Sequence, residues 1–434
     1  MRKILLLFFL LITATGYCID IPGGKAIYIP KDLQGINLQD SNAKWSYHRM
    51  TCTENFVIFW EKGFGKDLSN PPQLEGHSMK VNLSNLTEKL EHYYHFFRDT
   101  LKFTKPGSKC DKYRMMVMLN YSLEGTAYGG EYDQTIGALW IAPNRIQDEK
   151  LNCIAHELGH CFQSQITCDS EGVGWGGSGF YEMASQWMLW QVNPNWVTDE
   201  KYHWDAYRNL IYKAFLHPDN IYHSPYVLEY WGEKNGRSLI AELFRQGKIG
   251  EDPVITYKRI RGLNQKQFCD EMFDACCHFV NFDFERVWDK TRPYANRYQT
   301  KLVPGKLKDW QYIAASNCPE NYGFNAIPLE IPQHKKTIII DFYGDDHMKN
   351  YYVEHPENAG WRYGLVAVDN EGKSIYEPMK RSKRGKLSFK VADGMTVSYL
   401  WLVVMGAPTK HWINPTSPEK DAQWPYRIKI RITK

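Results

Sequence analysis

The sequence is short of the features that mark whole classes of protein. No stretch is of low complexity and no segment repeats, so solenoid and fibrous architectures are excluded. Neither sign of charge dominates: 53 Lys and Arg stand against 49 Asp and Glu, a net charge of +4 over 434 residues. So mild an excess gives no reason to expect nucleic acid or an anionic membrane surface as partner. Cysteine is sparse, ten residues in all, and the nine that follow Cys18 match no small disulfide scaffold in number or spacing. No pairing can be assigned to them.

Long apolar runs are scarce as well. The most conspicuous, Ile4 to Ile12, is too short to span a bilayer, so no transmembrane segment is expected. It follows Met1-Arg2-Lys3 and precedes Thr13-Ala14-Thr15-Gly16, the order of a signal peptide covering residues 1–18. The mature chain would begin near Tyr17 to Ile19 and be secreted or otherwise extracytoplasmic. A lipid anchor on Cys18 is the weaker reading, because Tyr17 does not suit the small-residue position before a lipidated cysteine.

What is present centres on Leu151 to Gln165, which contains His156-Glu157-Leu158-Gly159-His160. Residues four apart share a helix face, so His156 and His160 can bind one metal ion while Glu157 stays free to activate water. Leu151, Ile154, Ala155, Leu158, Cys161 and Phe162 form an apolar stripe on the other side of that helix. The plain alternative is a surface helix with two solvated histidines. Catalytic zinc needs a third protein ligand and an open fourth position. The metzincin position, six residues after His160, is Ile166 and cannot serve. Glu182 can: it sits in Ser178 to Trp190, a helix apolar nearly all round with Ser178 as a plausible N-cap. A carboxylate on such a helix is costly unless paired or bound to metal. Cys153, Cys161 and Cys168 flank the motif, but with imidazoles and a carboxylate at hand they read as buried packing.

This pattern, His156-Glu157-x-x-His160 and then Glu182-Met183-Ala184-Ser185, resembles the gluzincin zinc metallopeptidases, which include thermolysin-like and aminopeptidase families. More narrowly, the mature chain is similar to a family of secreted zinc-peptidase-like proteins with a β-rich C-terminal domain. The resemblance implies one catalytic Zn2+ and a peptide or protein substrate, glycoproteins included. It also implies a mixed α+β lobe, a helical lobe after it, and the site in the cleft between them. Family members commonly stabilise the oxyanion with a tyrosine or histidine from beyond the glutamate ligand, which points to Tyr222 and His223, with Tyr226 a further candidate. Many carry an acid shortly after that glutamate to orient a ligand histidine; Ser185 and Gln186 stand there instead.

Around the motif, Tyr47 to Trp60 ends in a strand-like run, Asn85 with Glu88 looks like a capping box, and Tyr113 to Leu119 reads as a strand. Thr126 to Pro143 holds two short strands; by the gluzincin resemblance the second, Gly137 to Ala142, would be a sheet edge able to hold an extended peptide. Helical spacing covers Tyr202 to Phe215, Pro225 to Lys234, Arg237 to Gln246, Pro253 to Arg261 and Gln265 to Val280. From Gln299 onward, short β-rich runs between turn residues predict a β-sandwich. In it Lys380 to Lys386 reads as a solvated hairpin tip, while Trp361, Trp412 and Trp424 are core residues or, if exposed, sugar contacts.

The expected fold class is therefore an α+β zincin-like catalytic domain, residues 19–298, followed by an all-β sandwich domain, residues 299–434. The expected function is a secreted zinc-dependent peptidase in which Glu157 activates the attacking water and His156, His160 and Glu182 hold the metal. Its rival is a catalytically weak or inactive zinc-containing surface protein whose sandwich contacts glycan or protein.

Overall fold

The computed structural model describes residues 24–172, 175, 179–305, 307–333, 336–413 and 421–433. The expected signal peptide, Cys18 and the expected N-cap Ser178 lie outside them. Among the described residues the protein is mixed α and β, with three sheets and a run of helices between the first sheet and the other two. Among the described residues no helix is long and apolar enough to cross a membrane.

The first sheet comprises β1 (Met50–Cys52), β2 (Phe56–Trp60), β3 (Met115–Leu119), β4 (Ala127–Tyr132) and β5 (Ile136–Ile141), in the order β1-β2-β3-β5-β4. Strands β2, β3 and β5 run parallel and are almost wholly apolar, as strands covered on both faces must be. Strand β4 returns antiparallel to β5 and forms the edge. This corrects the expectation for Gly137–Ala142: β5 lies inside the sheet, and the edge is Ala127–Tyr132. One face of the sheet is covered by helix α1 (Leu83–His95) and helix α2 (Asn152–Cys168), through Leu90, Tyr94, Ile154 and Phe162 in one core. Helix α1 starts earlier than expected. Asn82 caps it by accepting from the Asn85 N–H, while the Asn85 side chain donates to Glu149 O.

Helix α3 (Phe180–Val192) packs on α2 and buries nearly every side chain it has. Then come α4 (Lys201–Tyr207), α5 (Tyr226–Asn235), α6 (Ser238–Gln246), α7 (Pro253–Arg261) and α8 (Gln265–Asn281). Four of these match the helical spacing closely, but the helix expected over 202–215 stops at Tyr207. Residues beyond it give their backbone to the β region instead: Tyr212 O accepts from Glu320 N–H, Ile211 O from Phe324 N–H, and Ala214 N–H donates to Glu320 Oε2.

The C-terminal region holds β6 (Leu302–Pro304), β7 (Gln311–Ile313), β8 (Phe324–Pro328), β9 (Ile338–Gly344), β10 (Trp361–Val368), β11 (Ser374–Tyr376), β12 (Arg384–Phe389), β13 (Tyr399–Gly406) and β14 (Tyr426–Ile432). They form antiparallel sheets of order β11-β10-β13-β8 and β12-β9-β14-β7-β6, facing each other over a common apolar core. Trp361 and Trp424 are fully buried there and Trp412 packs against them, so none is a free sugar platform. The other face of the four-stranded sheet lies against α8, so Val366, Trp401 and Val403 share a core with Phe273 and Phe279. The change of secondary structure near residue 298 is therefore not a break in the core. Polar contacts also cross it: Arg362 with Asp270 at 2.7 Å, His411 with Asp252 at 2.7 Å, and Trp401 Nε1 donating to Asn296 Oδ1 at 2.9 Å. The basic run 380–386 is solvated as expected but is not a hairpin tip: it leads from β11 to β12, which belong to different sheets, and within it Arg381 joins Arg362 on Asp270.

At the same junction Glu320, only 6 % exposed, sits beside Asp421 and His217, with donor atoms of all three within 4.8 Å of one another. Burial, then the Asp421 charge, raises the Glu320 carboxyl above its ordinary 4.5. The folded chain thus keeps a proton that the unfolded chain releases as the pH passes that value. Stability from this group is complete below it and declines as the pH rises. Glu320→Gln keeps the acceptor for Ala214 N–H and is expected to flatten the decline. Denaturation midpoints across about pH 5 to 9 measure this, and a slope equal to wild type would contradict it.

Candidate metal centre

Helix α2 places Ile154, Ala155, Leu158, Cys161 and Phe162 in the core, which turns His156 and His160 together toward α3. Helix α3 places Glu182 in its first turn, where the partial positive charge of a helix N-terminus favours a carboxylate. His156 Nε2 and His160 Nε2 each lie 3.1 Å from Glu182 Oε2 and 3.2 Å from one another. A zinc ion with bonds of about 2.0–2.1 Å in tetrahedral geometry would separate its ligand atoms by roughly 3.3 Å. The three atoms are spaced as one face of such a tetrahedron.

The proton positions suit a cation too. Gln163 Nε2 donates to Tyr181 O at 2.9 Å; a backbone carbonyl only accepts, so the amide orientation is fixed. Gln163 Oε1 then faces His160 Nδ1 at 3.0 Å and requires a proton there. Gln186 Nε2 likewise donates to Tyr222 O at 3.3 Å, leaving Gln186 Oε1 to accept from His156 Nδ1 at 2.7 Å. Both imidazoles, in their neutral form, therefore present an Nε2 lone pair toward the Glu182 carboxylate. Three acceptors converge with no donor of their own, which is the requirement of a divalent metal. Electrostatics agree. Burial alone would raise the Glu182 carboxyl, but the neighbouring His156 and His160 hold it well below the usual carboxylate range. Burial disfavours a proton on His160, yet Glu182 raises its pKa overall, so the pocket attracts positive charge.

Glu157 is anchored from the sheet. Gly129 N–H on β4 donates to Glu157 Oε2 at 2.8 Å, across the closest approach of strand and helix. A Cβ on Gly129 would fall 1.8 Å from Glu157 O. Burial raises the Glu157 carboxyl above its ordinary value, with His156 and His160 pulling the other way.

Of the other expected residues, Tyr222 reaches the site, its ring 6.1 Å from that of His156. Burial and then the Glu182 charge push its phenol up to about 12, so it stays protonated at neutral pH. His223 is set one layer back, its Nδ1 2.7 Å from His203 Nδ1. Tyr226 is core, packed on Trp190 and Tyr207. All nine described cysteines are free thiols. Cys161 Sγ donates to Ala138 O at 3.0 Å inside the core, and neither it nor Cys153 joins the ligand atoms of His156, His160 and Glu182. Gln163, Gln186, His203 and Gly129 had no assigned role in the sequence reading. Only Gly129-Gly130 carried a signal, since glycine within a strand marks close approach of another backbone. Where many family members use an acid, the groups that accept from the two ligand histidines are the amides of Gln186 and Gln163.

A family model described as a family of unknown function, DUF6055, matches residues 20–434. The chain belongs to the DUF6055 family. No curated protein matches this DUF6055 chain. Among solved structures it is similar to the C-terminal family 22 carbohydrate-binding module of Clostridium thermocellum Xyn10B, at 12% identity and a TM-score of 0.19, over 31% of this chain and 78% of that one. A similarity of that size bears on neither fold nor ligand.

Proposed function

We propose that this chain is an exported zinc-dependent peptidase of gluzincin type, with a zincin-like lobe formed by the first sheet and α2 and a helical lobe beginning at α3. The observation that carries the reading is the convergence of His156 Nε2, His160 Nε2 and Glu182 Oε2, with both Nδ1 protons engaged elsewhere. A zinc ion held there would supply a Lewis acid that lowers the pKa of water toward about 7 and polarises a peptide carbonyl.

Glu157 takes the proton of the attacking water on its carboxylate and returns it to the leaving amine nitrogen. Its partly buried setting, which raises its proton affinity, suits that double duty. Gly129 N–H holds one carboxylate oxygen and so aims the other. Tyr222, protonated to about 12, donates a hydrogen bond to the oxygen on which negative charge develops. The edge strand β4 supports a place for the substrate. Gly129 N–H points out of the ladder and is taken by Glu157, so by the period of two the edge leaves the backbone groups of Ala127 and Glu131 for a peptide. An extended peptide lies along that edge as an added strand, beside Glu157.

The test is metal removal. Purified chain is stripped with chelator, incubated with a mixed peptide library with and without one equivalent of zinc, and the products are read by mass spectrometry. New peptide termini should arise with zinc alone. Cleavage that persists after stripping, or no cleavage of any peptide in the zinc-loaded chain, would contradict the reading.

A further inference from the structure

We propose that Glu320, at the entrance to the β region, is a positioning residue for Tyr222: it anchors the irregular segment that carries this tyrosine to the metal centre. The consequence for catalysis rests on the function proposed above; the placement of the Tyr222 ring does not.

Between the end of α4 at Tyr207 and the start of α5 at Tyr226 the backbone forms only one short 3-10 turn, Pro218–Asn220, so its polar groups need partners from outside a helix or strand. The β region supplies three of them. Ile211 O and Tyr212 O accept from the main-chain N–H groups of Phe324 and Glu320, at 2.7 and 2.8 Å, and Ala214 N–H donates to Glu320 Oε2 at 2.8 Å. Only the last is made by a side chain. The contact is close and dry: Glu320 and Ala214 are both buried, and a Cβ on Gly323 would fall 2.0 Å from Tyr212 O.

From Ala214 the path to Tyr222 is a run of hydrogen bonds. Ala214 O accepts from Asn220 Nδ2 at 3.2 Å, and Asn220 O accepts from the His223 and Ser224 N–H groups at 2.8 and 3.1 Å. Asn220 is 1 % exposed, and its bonds to His223 and Ser224 close the turn that contains Tyr222. On its other side the segment meets α3, the helix that carries Glu182. A Cβ on Gly179, the N-cap of α3, would fall 1.8 Å from Ile221 Cγ2, and Tyr222 O accepts from Gln186 Nε2 at 3.3 Å. The segment is therefore a bridge with one end on the metal helix and the other on Glu320. The Tyr222 ring, 6.1 Å from that of His156, is carried between them. A further tie, Lys213 with Asp219, is an ion pair whose carboxylate is half exposed, a kind that contributes little. Without an acceptor at Glu320 the buried Ala214 N–H is left unpaired, and the bridge must shift to satisfy it. A donor to developing charge acts through preorganisation, so that shift falls on kcat and spares KM.

The test uses full-length, zinc-loaded chain with Glu320→Gln and Glu320→Leu, each alone and combined with Tyr222→Phe. A 3-fluorotyrosine placed at position 222 reports the ring by 19F NMR. The Gln variant keeps an acceptor for Ala214 N–H and should keep the wild-type resonance and kcat. The Leu variant should move the resonance and lose about 10-fold in kcat at similar KM, part of the roughly 10²–10³ that a lost oxyanion donor costs. With Tyr222→Phe already present, Glu320→Leu should change kcat by less than about twofold, because the group it positions is gone. A Leu variant with wild-type resonance or wild-type kcat overturns the proposal. So does a Gln variant that loses as much as Leu, or a Leu effect of equal size with and without the Tyr222 hydroxyl. If the Leu variant fails to fold, Glu320→Asp, which draws the acceptor back by one methylene, is judged on the same outcomes. A chain that cleaves no peptide overturns the peptidase reading, and the 19F resonances still decide whether Glu320 places the ring.

Discussion

Glu157→Gln is expected to bind zinc as wild type does and to lose peptide hydrolysis by about 10²–10⁴-fold, the range removed with a positioned general base. The substitution is close to ideal for separating the two roles. The amide oxygen it introduces would still accept from Gly129 N–H, so α2 and β4 keep their contact, and the ligand set of His156, His160 and Glu182 is untouched. What is lost is the capacity to take a proton from water. The measurement pairs zinc stoichiometry with kcat on whichever peptide the library screen returns. Retained hydrolysis in a folded, zinc-loaded variant would remove Glu157 from the mechanism.

Gly129→Ala should be the most damaging single methyl group in the first lobe. Its Cβ would lie 1.8 Å from Glu157 O and 3.0 Å from His160 Cβ, and the nearer of these is backbone that no rotamer can move aside. Either β4 must retreat from α2 or the helix must shift. Overpacking commonly costs about 1–3 kcal/mol, and a collision with backbone belongs at or beyond the top of that range. The same retreat lengthens the hydrogen bond that aims Glu157, so activity should fall further than stability alone accounts for. Gly130→Ala is the control: the nearest atoms to its Cβ would all belong to the exposed side chain of Tyr128, and none to backbone. Denaturant titration of both variants gives the comparison. Equal stability of the Gly129 and Gly130 variants would show that strand and helix are not in the contact described.

How far the site could be read from sequence follows from the reach of each signal. His156, Glu157 and His160 lie within one helical turn and a half, so the 3.6-residue period alone puts them together. Glu182 was legible through cost, as an acid on a helix that buries almost everything else. The sheet edge was not legible. Strand order is set by pairing between distant segments, and β4 and β5 are both short, glycine-containing and apolar enough to sit at either place. The second layer was hidden for a chemical reason. A glutamine can replace an orienting acid only when a carbonyl pins its amide, and those carbonyls, Tyr181 O and Tyr222 O, come from other parts of the chain. The early end of α4 has the same kind of cause, since Ile211, Tyr212 and Ala214 give their backbone groups to Glu320 and Phe324. Strands of three residues, such as β6, β7 and β11, carry no period to detect.

The most direct measurement is elemental analysis of the purified mature chain and of His160→Ala, both prepared without added metal. The account predicts about one zinc per wild-type chain and its loss in the variant, because two ligands of the three leave a site of much lower affinity. No zinc in wild type, or the same zinc content in both, would contradict it.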